Sequence, residues 1–361
     1  MNHLSDTANN LALIPSLLEQ EDWEYEISLL KRFVRVTEEN RGLFFAFLSH
    51  ESDMDSYLTS PVYYAMTGRK GLWLYQDGNS YVPLCWHPNI DGQILVFPPR
   101  GQRNPTILKK VLTEMPIPPA GVSLARIKNE EISLETFRNI SSSVGRSIST
   151  SLIDEEPVLD WRFPVRILST ETVSKTEGRP FVKIRNCIKQ MERHDISILP
   201  LSVARTSLVV EFANRWAKRR SQNSIEIKEL VAPYLEIMQL LHDDIFNVEG
   251  QMFLVDGVLQ AVTMWEMPNT SMKVANVWMN LCNTEIRGLS EFVVKATSEE
   301  LLARGVPYAN YGGSETKGLD DYKKKFVPVF SPELKSIEVE IEGVDSVLQS
   351  LLRIQKTRIA V

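Results

Sequence analysis

The first half of the chain mixes helix-like and strand-like patterns of apolar and polar residues. Apolar residues at helical spacing predict helices at 11–21, 23–37 and 106–114. Short apolar runs bounded by turn residues predict strands at 43–48, 72–75, 81–86, 94–97 and 122–127. We therefore expect an α/β (α+β) domain in which helices flank a largely antiparallel sheet.

The second half repeats this order with clearer signals. The predicted helices lie at 178–191, 202–220, 225–241, 289–304 and 318–326. The predicted strands lie at 252–255, 258–265, 274–281, 306–311 and 336–341. Asp256-Gly257 separates two of the apolar runs, and Asp-Gly at such a position is a strong signal of a β-hairpin.

A faint internal repeat connects the two halves. Asp77-Gly78 precedes a predicted strand that ends at Trp86, and Asp256-Gly257 precedes one that ends at Trp265. The two turns and the two tryptophans have the same separation along the chain. Together with the matching order of elements, this favours a duplicated fold over a chance likeness between two hairpins.

The composition is that of a folded protein in water. The chain has 361 residues, of which 43% are hydrophobic and 24% are charged. These fractions exclude a disordered or collagen-like chain, and the length allows about two domains. No apolar run reaches the ~20 residues of a membrane span, and the first residues lack the apolar core of a signal peptide. We expect a cytoplasmic location.

Cysteine spacing and net charge limit the kinds of metal site, disulfide and partner that the sequence supports. Cys85, Cys187 and Cys282 are far apart and form no CxxC pair, so the sequence predicts no disulfide framework and no metal site. The formal net charge of −6 argues against a protein that coats nucleic acid over its whole surface. A partner that carries phosphate would therefore be bound at a local basic patch.

The segment after the predicted strand 306–311 has the highest density of candidate functional residues. Gly312-Gly313 leads into the predicted helix 318–326, an arrangement in which backbone N–H groups can bind an anion. Leu319, Tyr322 and Phe326 have the spacing of an inward helix face, so the lysines between them project elsewhere. Spacing alone leaves a plain Gly-Gly connection with a solvated lysine-rich helix equally open.

Two motifs resemble one known family. The segment from Asn310 to Phe326, with Ser314-Glu315 after the glycines and Lys323-x-Lys325 in the helix, resembles the C-terminal signature of the phosphatidylglycerol lysyltransferase C-terminal-like family. The segment from Gly178 to Ile188 is similar to that family's Gly-Lys-x-Phe-x-x-Lys-Arg-Asn-x-Ile helix. The two motifs stand in the family's order.

The resemblance implies a fold and a reaction. The family belongs with the Fem-type aminoacyl-tRNA-dependent transferases, which have a tandem duplicated acyl-CoA N-acyltransferase (GNAT)-like fold with mixed sheets flanked by helices. The expected domains are an N-terminal helical or flexible extension at 1–22, a first GNAT-like domain at 23–155 and a second at 156–361, which carries the motifs. Characterised members pass an aminoacyl group from a charged tRNA to an amine or hydroxyl.

The partners follow from the same resemblance. Lipid-modifying members carry a membrane domain, for which this sequence has no apolar segment. We therefore expect a small-molecule or peptide acceptor, such as an intermediate of natural-product biosynthesis, with no membrane and no DNA as partners. No cofactor is implied, because the aminoacyl-tRNA is a co-substrate.

The resemblance also assigns candidate site residues. Lys323 is expected to stabilise negative charge on the carbonyl oxygen, with Glu315 accepting a proton or binding the donor's amino group and Asn310 orienting a reactant. The residues expected to bind the donor are Arg179, Lys183, Arg185, Asn186, Gly312, Gly313, Ser314, Lys317, Tyr322 and Lys325. Arg179, Lys183 and Arg185 would neutralise phosphates of the tRNA end.

Two other functions remain open on the sequence. An acyl-CoA-dependent N-acyltransferase would bind pyrophosphate near Gly288, where Glu285 replaces the usual Gln or Arg and Ser290 the last glycine. A tandem fold that binds a ligand without catalysis is the third hypothesis. A second basic cluster at 215–220 ends a predicted helix, where the helix dipole alone favours cations.

Overall fold

The computed structural model describes residues 20–49, 55–101, 106–116, 118–128, 148–153, 163–202, 205–221, 224–268, 273–314, 316–331 and 334–341. The strands are β1 (Phe33–Arg35), β2 (Leu72–Asp77), β3 (Ser80–Trp86), β4 (Ile94–Val96), β5 (Arg100–Gly101), β6 (Val122–Lys128), β7 (Ile148–Ile153), β8 (Ile167–Ser169), β9 (Ile196–Pro200), β10 (Val248–Val255), β11 (Val258–Glu266), β12 (Val274–Cys282), β13 (Tyr308–Asn310) and β14 (Leu334–Ile341). The helices are α1 (20–28), α2 (Arg41–Ser49), α3 (Pro61–Thr67), α4 (Ile107–Glu114), α5 (Thr170–Lys175), α6 (Val182–Ile188), α7 (Thr206–Arg220), α8 (Ser224–Gln239), α9 (Leu289–Ala303) and α10 (Lys317–Lys324).

The chain divides into two compact units. The first collects Met1–Asn40, Thr67–Asp160 and Glu333–Val361, and the second collects Arg41–Met66 and Trp161–Pro332. Each unit contains one mixed sheet. Both units therefore combine segments from distant parts of the sequence.

These units differ from the predicted domains in two segments. β14 joins the first sheet, where it pairs antiparallel with both β6 and β7, because an added strand satisfies backbone groups on two neighbours at once. The segment 41–66 joins the second unit, where Arg41 forms an ion pair with Asp243 and the Phe45 ring contacts that of Phe246. A single domain boundary near residue 155 places each of these two segments in the other domain.

The first sheet has the order β1-β2-β3-β4-β6-β14-β7, with β5 paired to β3. The β2–β3 hairpin turns at Asp77-Gly78, as its sequence predicts. Trp23 from α1 contacts the rings of Trp73 and Trp86, at centroid distances of 5.3 and 4.7 Å. This cluster of tryptophans forms part of the core of the first unit.

Two predictions in the first half are wrong. The apolar run 43–48 forms the helix α2, which buries Phe44, Phe45 and Leu48 and exposes Leu43 and Phe47. A short apolar run cannot distinguish strand from helix by periodicity alone. The predicted helix 23–37 ends at residue 28, and 33–35 forms the strand β1.

The second sheet carries the candidate chemistry. Its order is β8-β13-β12-β11-β10-β9, and its strands are antiparallel except for the pair β12 and β13. The Asp256-Gly257 hairpin joins β10 and β11 as predicted. α7 and α8 cover one face of this sheet, and α9 packs on the other. The predicted α/β fold, with mixed sheets flanked by helices, is confirmed.

No helix within the described residues combines the length and the apolar character that crossing a bilayer requires.

Candidate active site

The second sheet opens between β12 and β13. The two strands pair over three positions, from Val274 with Tyr308 to Asn276 with Asn310. β12 then continues to Cys282, whereas β13 ends at Asn310. The register between β11 and β12 also shifts at this level and leaves Trp278 as an extra residue. Such a bulge re-aims side chains and is common beside active sites.

On one side of this opening, polar side chains form a closed network, which we call the asparagine network (Ser56, Ser60, Glu266, Asn276 and Asn310). The Asn310 amide donates to Ser56 Oγ at 2.9 Å and to Asn276 Oδ1 at 3.2 Å. Its carbonyl oxygen accepts from the Gly312 N–H at 2.8 Å. Asn310 is fully buried, and its polar groups are all engaged. The structure therefore gives it the geometry of a positioning residue.

Glu266 is the ionisable group of the asparagine network. Its carboxylate accepts hydrogen bonds from the Ser60 hydroxyl, the Val62 N–H, the Asn276 amide and the Trp278 indole. Burial raises the pKa of Glu266 to about 7, against the lowering effect of these four donors. The carboxyl lies beside a cavity of about 10 Å³, which has room for about one water. Through its hydrogen bonds to Ser60 and Val62, it fixes segment 56–62 to the sheet.

The other side of the opening holds the tyrosine pair, Tyr311 and Tyr322. Tyr311 directly follows Asn310, and Tyr322 projects from α10; both rings pack in the core with Phe326. Both hydroxyls are buried. The Tyr322 hydroxyl has no hydrogen-bond partner among the residues that the structure describes, and the Tyr311 hydroxyl faces only the Ser298 side chain, without regular hydrogen-bond geometry. Burial raises the pKa of each phenol above its ordinary value. Both therefore remain protonated near neutral pH.

The Gly312-Gly313 turn joins the two sides. Gly312 has a φ of +70°, and a Cβ there would lie 2.8 Å from the Tyr57 hydroxyl, so the position requires glycine. Lys323 donates to the carbonyls of Gly312, at 3.3 Å, and Gly313. Lys323 thus holds the turn through its ammonium.

Two of the backbone N–H groups at this turn are already engaged. The Gly312 N–H is used by Asn310, and the Ser314 N–H faces the Phe163 carbonyl at 3.4 Å. Ser314 is buried, and its hydroxyl has no partner within the described ranges. The carbonyl oxygens of the turn bind Lys323, and anion binding by its N–H groups remains a prediction for Gly313.

A buried ion pair sets the position of α10. The Arg166 guanidinium donates to Asp320 at 2.8 Å, and the Asp320 carboxylate is fully buried. Burial opposes ionisation of Asp320, but its hydrogen bonds to Arg166 and Lys324 leave the net pKa lowered. The pair therefore keeps Tyr322 and Lys323 in place at the opening.

The other two predicted lysines lie at the two ends of α10. Lys317 is exposed at the start of the helix. Lys325 lies over the Tyr322 ring at 5.2 Å from the centroid, and its ammonium is 4.0 Å from Glu291 in the first turn of α9. Lys325 thus belongs to the side of the tyrosine pair. Glu315 lies outside the described residues.

The basic motif of α6 does not join this site. Arg179, Lys183 and Asn186 are exposed, and within the described chain they form no hydrogen bond or ion pair with the Gly-Gly turn. Arg185 donates to the carbonyls of Thr176 and Gly178, at 2.5 and 2.9 Å. Arg185 therefore stabilises its own loop, and the other three remain predicted donor contacts.

Sequence reasoning missed Ser56, Glu266, Asn276 and Tyr311. Glu266 is the last residue of β11, the strand that carries the internal repeat. That position was the only feature of the sequence that could have pointed to it. Ser56 has none, because it precedes Asn276 by 220 residues in the chain. Tyr311 is adjacent to the recognised motif and was assigned to the strand itself.

Comparisons with known proteins identify the fold. No protein-family model matches the sequence, and no curated protein matches it either. The structure is similar to a conserved protein of unknown function from Bacteroides thetaiotaomicron VPI-5482 (TM-score 0.63, 15% identity, covering 86% of this chain and 99% of that one). It is also similar to L-PGS from Bacillus licheniformis (TM-score 0.55, 12% identity, 88% and 96%) and to FemX (TM-score 0.53, 9% identity, 85% and 96%).

At identities this low, the structural similarity shows a shared fold and does not by itself show a shared function. The motif resemblance is thereby confirmed at the level of the fold. The chain has the tandem GNAT-like α/β fold that the sequence predicted, in common with L-PGS and FemX.

Proposed function

We propose that the protein transfers an aminoacyl group from a charged tRNA to an amine or hydroxyl of a small molecule or peptide, at the opening between β12 and β13. The observation that carries this proposal is the tyrosine pair, whose two buried hydroxyls form no regular hydrogen bond in the described part of the chain, with only Ser298 beside that of Tyr311. The motif at 310–326 supports the tRNA donor, because characterised members of the family it resembles use one.

The energetic argument starts from the cost of such hydroxyls. A buried donor without a partner costs about 1–3 kcal/mol, and native proteins keep few of them. Other buried polar atoms of the described residues also lack a partner, such as the Thr297 and Ser314 hydroxyls, but the tyrosine pair lies beside the recognised motif, where a ligand could supply the acceptor. A carbonyl oxygen that gains negative charge during acyl transfer is such an acceptor.

The proposed transfer is direct. The nucleophilic nitrogen or oxygen of the acceptor attacks the ester carbonyl carbon, and the Tyr311 and Tyr322 hydroxyls donate to the carbonyl oxygen as charge develops on it. When the new bond is complete, the ester C–O bond breaks. The ribose oxygen then gains the proton that the nucleophile loses. Glu315 remains our prediction for the group that accepts this proton first.

A covalent enzyme intermediate has no support in this neighbourhood. Burial raises the pKa of Cys282 to about 12, so its sulfur is a thiol near neutral pH and a poor nucleophile. In the proposed reaction Lys323 holds the Gly-Gly turn and brings positive charge to the end of β13. Its predicted role at the carbonyl oxygen thus becomes a supporting one.

An acyl-CoA donor is less well supported. Its pyrophosphate would need the N-terminus of α9 at Gly288. A Cβ on Gly288 would lie 2.1 Å from the carbonyl oxygen of Cys187, so the end of α6 already occupies that side of the turn. The exposed carboxylate of Glu285 adds negative charge nearby.

The decisive assay offers both donors to the purified protein. A mixture of tRNAs charged with labelled amino acids, an extract that contains candidate acceptors, and a set of acyl-CoA esters are incubated separately and together. We expect labelled amide or ester product with charged tRNA, abolished by ribonuclease treatment. Product from acyl-CoA alone would contradict the tRNA donor, and binding without any product would contradict the transferase.

A further inference from the structure

A nearly buried carboxylate lies beside the tyrosine pair. Glu291 is in the first turn of α9, and its side chain is 12% exposed. In the described part of the chain its ion-pair partner is Lys325, at 4.0 Å, which is beyond the reach of a hydrogen bond. Buried charges in proteins are normally paired and hydrogen-bonded. The oxygens of Glu291 therefore keep the capacity to accept hydrogen bonds from a ligand.

Contacts and electrostatics both place this carboxylate at the tyrosine pair. Lys325 lies over the Tyr322 ring, 5.2 Å from its centroid, and its ammonium also faces Glu291. Burial is the main cause of the raised pKa of the Tyr322 phenol, and the negative charge of Glu291 adds to it. The same charge adds to the effect of burial on the pKa of the Cys282 thiol, at the end of β12. Because such effects weaken with distance, Glu291 lies near both groups.

The donor of the proposed reaction carries a cation next to its reacting carbonyl. An aminoacyl ester has its α-ammonium on the carbon bonded to the carbonyl carbon, so the nitrogen lies about 3–4 Å from the carbonyl oxygen. When the hydroxyls of the tyrosine pair bind that oxygen, the ammonium lies beside them. An ammonium and a carboxylate form a strong, charge-assisted hydrogen bond. An acyl group without an amine gains nothing from the carboxylate.

We infer that Glu291 binds the α-ammonium of the aminoacyl donor and thereby selects aminoacyl groups over acyl groups that lack the amine. This role rests on the proposed function, because it takes the tyrosine pair as the site of the carbonyl oxygen. Glu315 keeps its predicted role as proton acceptor. The helix dipole also favours an acidic residue in the first turn of α9. It acts on exposed carboxylates as well, and does not account for one that is nearly buried beside two phenols.

The test uses two stable analogues of an aminoacylated tRNA end. In 3′-deoxy-3′-(glycylamino)adenosine an amide replaces the ester and the ammonium is present, whereas 3′-deoxy-3′-(glycolylamino)adenosine has a hydroxyl in place of the ammonium. Glycine has no side chain, so neither compound depends on the identity of the amino acid. Binding to the full chain is measured by titration at low salt for the unchanged protein, Glu291→Gln and Glu285→Gln. Glu285 is the matched control, because it lies just before α9 and is 72% exposed.

The unchanged protein and Glu285→Gln should bind the glycyl analogue about tenfold more tightly than the glycolyl analogue. Glu291→Gln should bind both alike, and melting temperatures verify that both variants fold. A preference that survives in Glu291→Gln would overturn the inference. Equal binding of the two analogues by the unchanged protein, or no binding of the glycyl analogue, would overturn it as well.

A second measurement requires no variant. The α-amino group of the glycyl analogue has an ordinary pKa of about 8, so the preference of the unchanged protein should disappear as this group loses its proton at higher pH. A preference that stays constant through that pKa would contradict binding of the ammonium. These binding measurements and the transfer assay fail separately, because neither analogue can be transferred and transfer from charged tRNA is measurable without any such preference.

Discussion

Asn310 and Tyr311 are neighbours in the chain, yet their surroundings differ in one physical respect. On the Asn310 side, the side-chain amide is fully hydrogen-bonded within the asparagine network. On the Tyr311 side, the buried hydroxyl forms no regular hydrogen bond in the described residues and faces only the Ser298 side chain. A satisfied network contributes to stability, whereas an unsatisfied one costs stability and is retained where a ligand completes it. The comparison therefore separates positioning residues from residues expected to contact substrate.

The largest expected effect on stability comes from breaking the asparagine network at its carboxylate. Glu266→Ala leaves four donors without their acceptor and opens a cavity, so we expect the free energy of unfolding to fall by about 4 kcal/mol. Denaturant unfolding measures this. Glu249→Ala, at an acidic position on the neighbouring strand that is partly exposed, should cost less than about 1 kcal/mol. Equal losses would contradict the special role of Glu266.

The next largest effect concerns the placement of α10. Asp320→Asn removes the charge that compensates the buried Arg166 guanidinium, and we expect a loss of about 3 kcal/mol in unfolding free energy. The control is Asp321→Asn, the adjacent carboxylate, which is 55% exposed and should change stability by less than about 0.5 kcal/mol. If the two variants unfold alike, the ion pair does not hold the helix.

The pH dependence of Glu266 sharpens the comparison. Its pKa is raised in the folded protein to about 7, against an ordinary value of about 4.5 that we take for the unfolded chain. Below pH 4.5 the carboxyl is protonated in both states and its stabilising contribution is complete. As pH rises from 4.5 through 7, the unfolded chain loses this proton first, so about 3 kcal/mol of that contribution is lost.

Glu266→Gln carries no titrating group at this position and provides the reference. The difference in unfolding free energy between the unchanged protein and this variant should shrink by about 3 kcal/mol between pH 4.5 and 7.5, in a series of urea titrations. A difference that stays constant over this range would mean that the carboxyl is ionised throughout.

The smallest expected effect lies at the turn. Gly312→Ala forces a left-handed backbone and a close contact with the Tyr57 hydroxyl, so we expect a loss of about 2 kcal/mol. Gly318→Ala lies inside α10 with no atom within 4 Å of the added Cβ and should raise stability by about 0.5 kcal/mol. Thermal unfolding of both variants is the measurement. Two changes of the same sign would contradict the geometry of the turn.

The sequence predicted one side of the site better than the other. The motif at 310–326 contains Tyr322 and Lys323, which lie close together because they share one short helix, and their roles remain predictions. It could not identify Ser56, whose contacts with Asn276 and Asn310 span 220 and 254 residues of chain. Local periodicity carries no information on such long-range contacts.

The same limit explains the errors in the fold. The hairpin at Asp256-Gly257 and the helix α9 were predictable, because their signals are local. The segment 41–66 belongs to the second unit and β14 to the first because of contacts with residues far away in the sequence. The short apolar run of α2 is compatible with either a strand or a helix, and the residues that it packs against determine that it is a helix.

The central claim is that the tyrosine pair contacts the reacting carbonyl. The most direct measurement combines the transfer rate and the melting temperature of the double variant Tyr311→Phe, Tyr322→Phe, with Tyr308→Phe as the control on β13. We predict that the double variant loses about 100-fold in rate while its melting temperature stays unchanged or rises, since the two buried hydroxyls that are removed form no regular hydrogen bond. An unchanged rate, or a lost rate accompanied by a lower melting temperature, would contradict the claim.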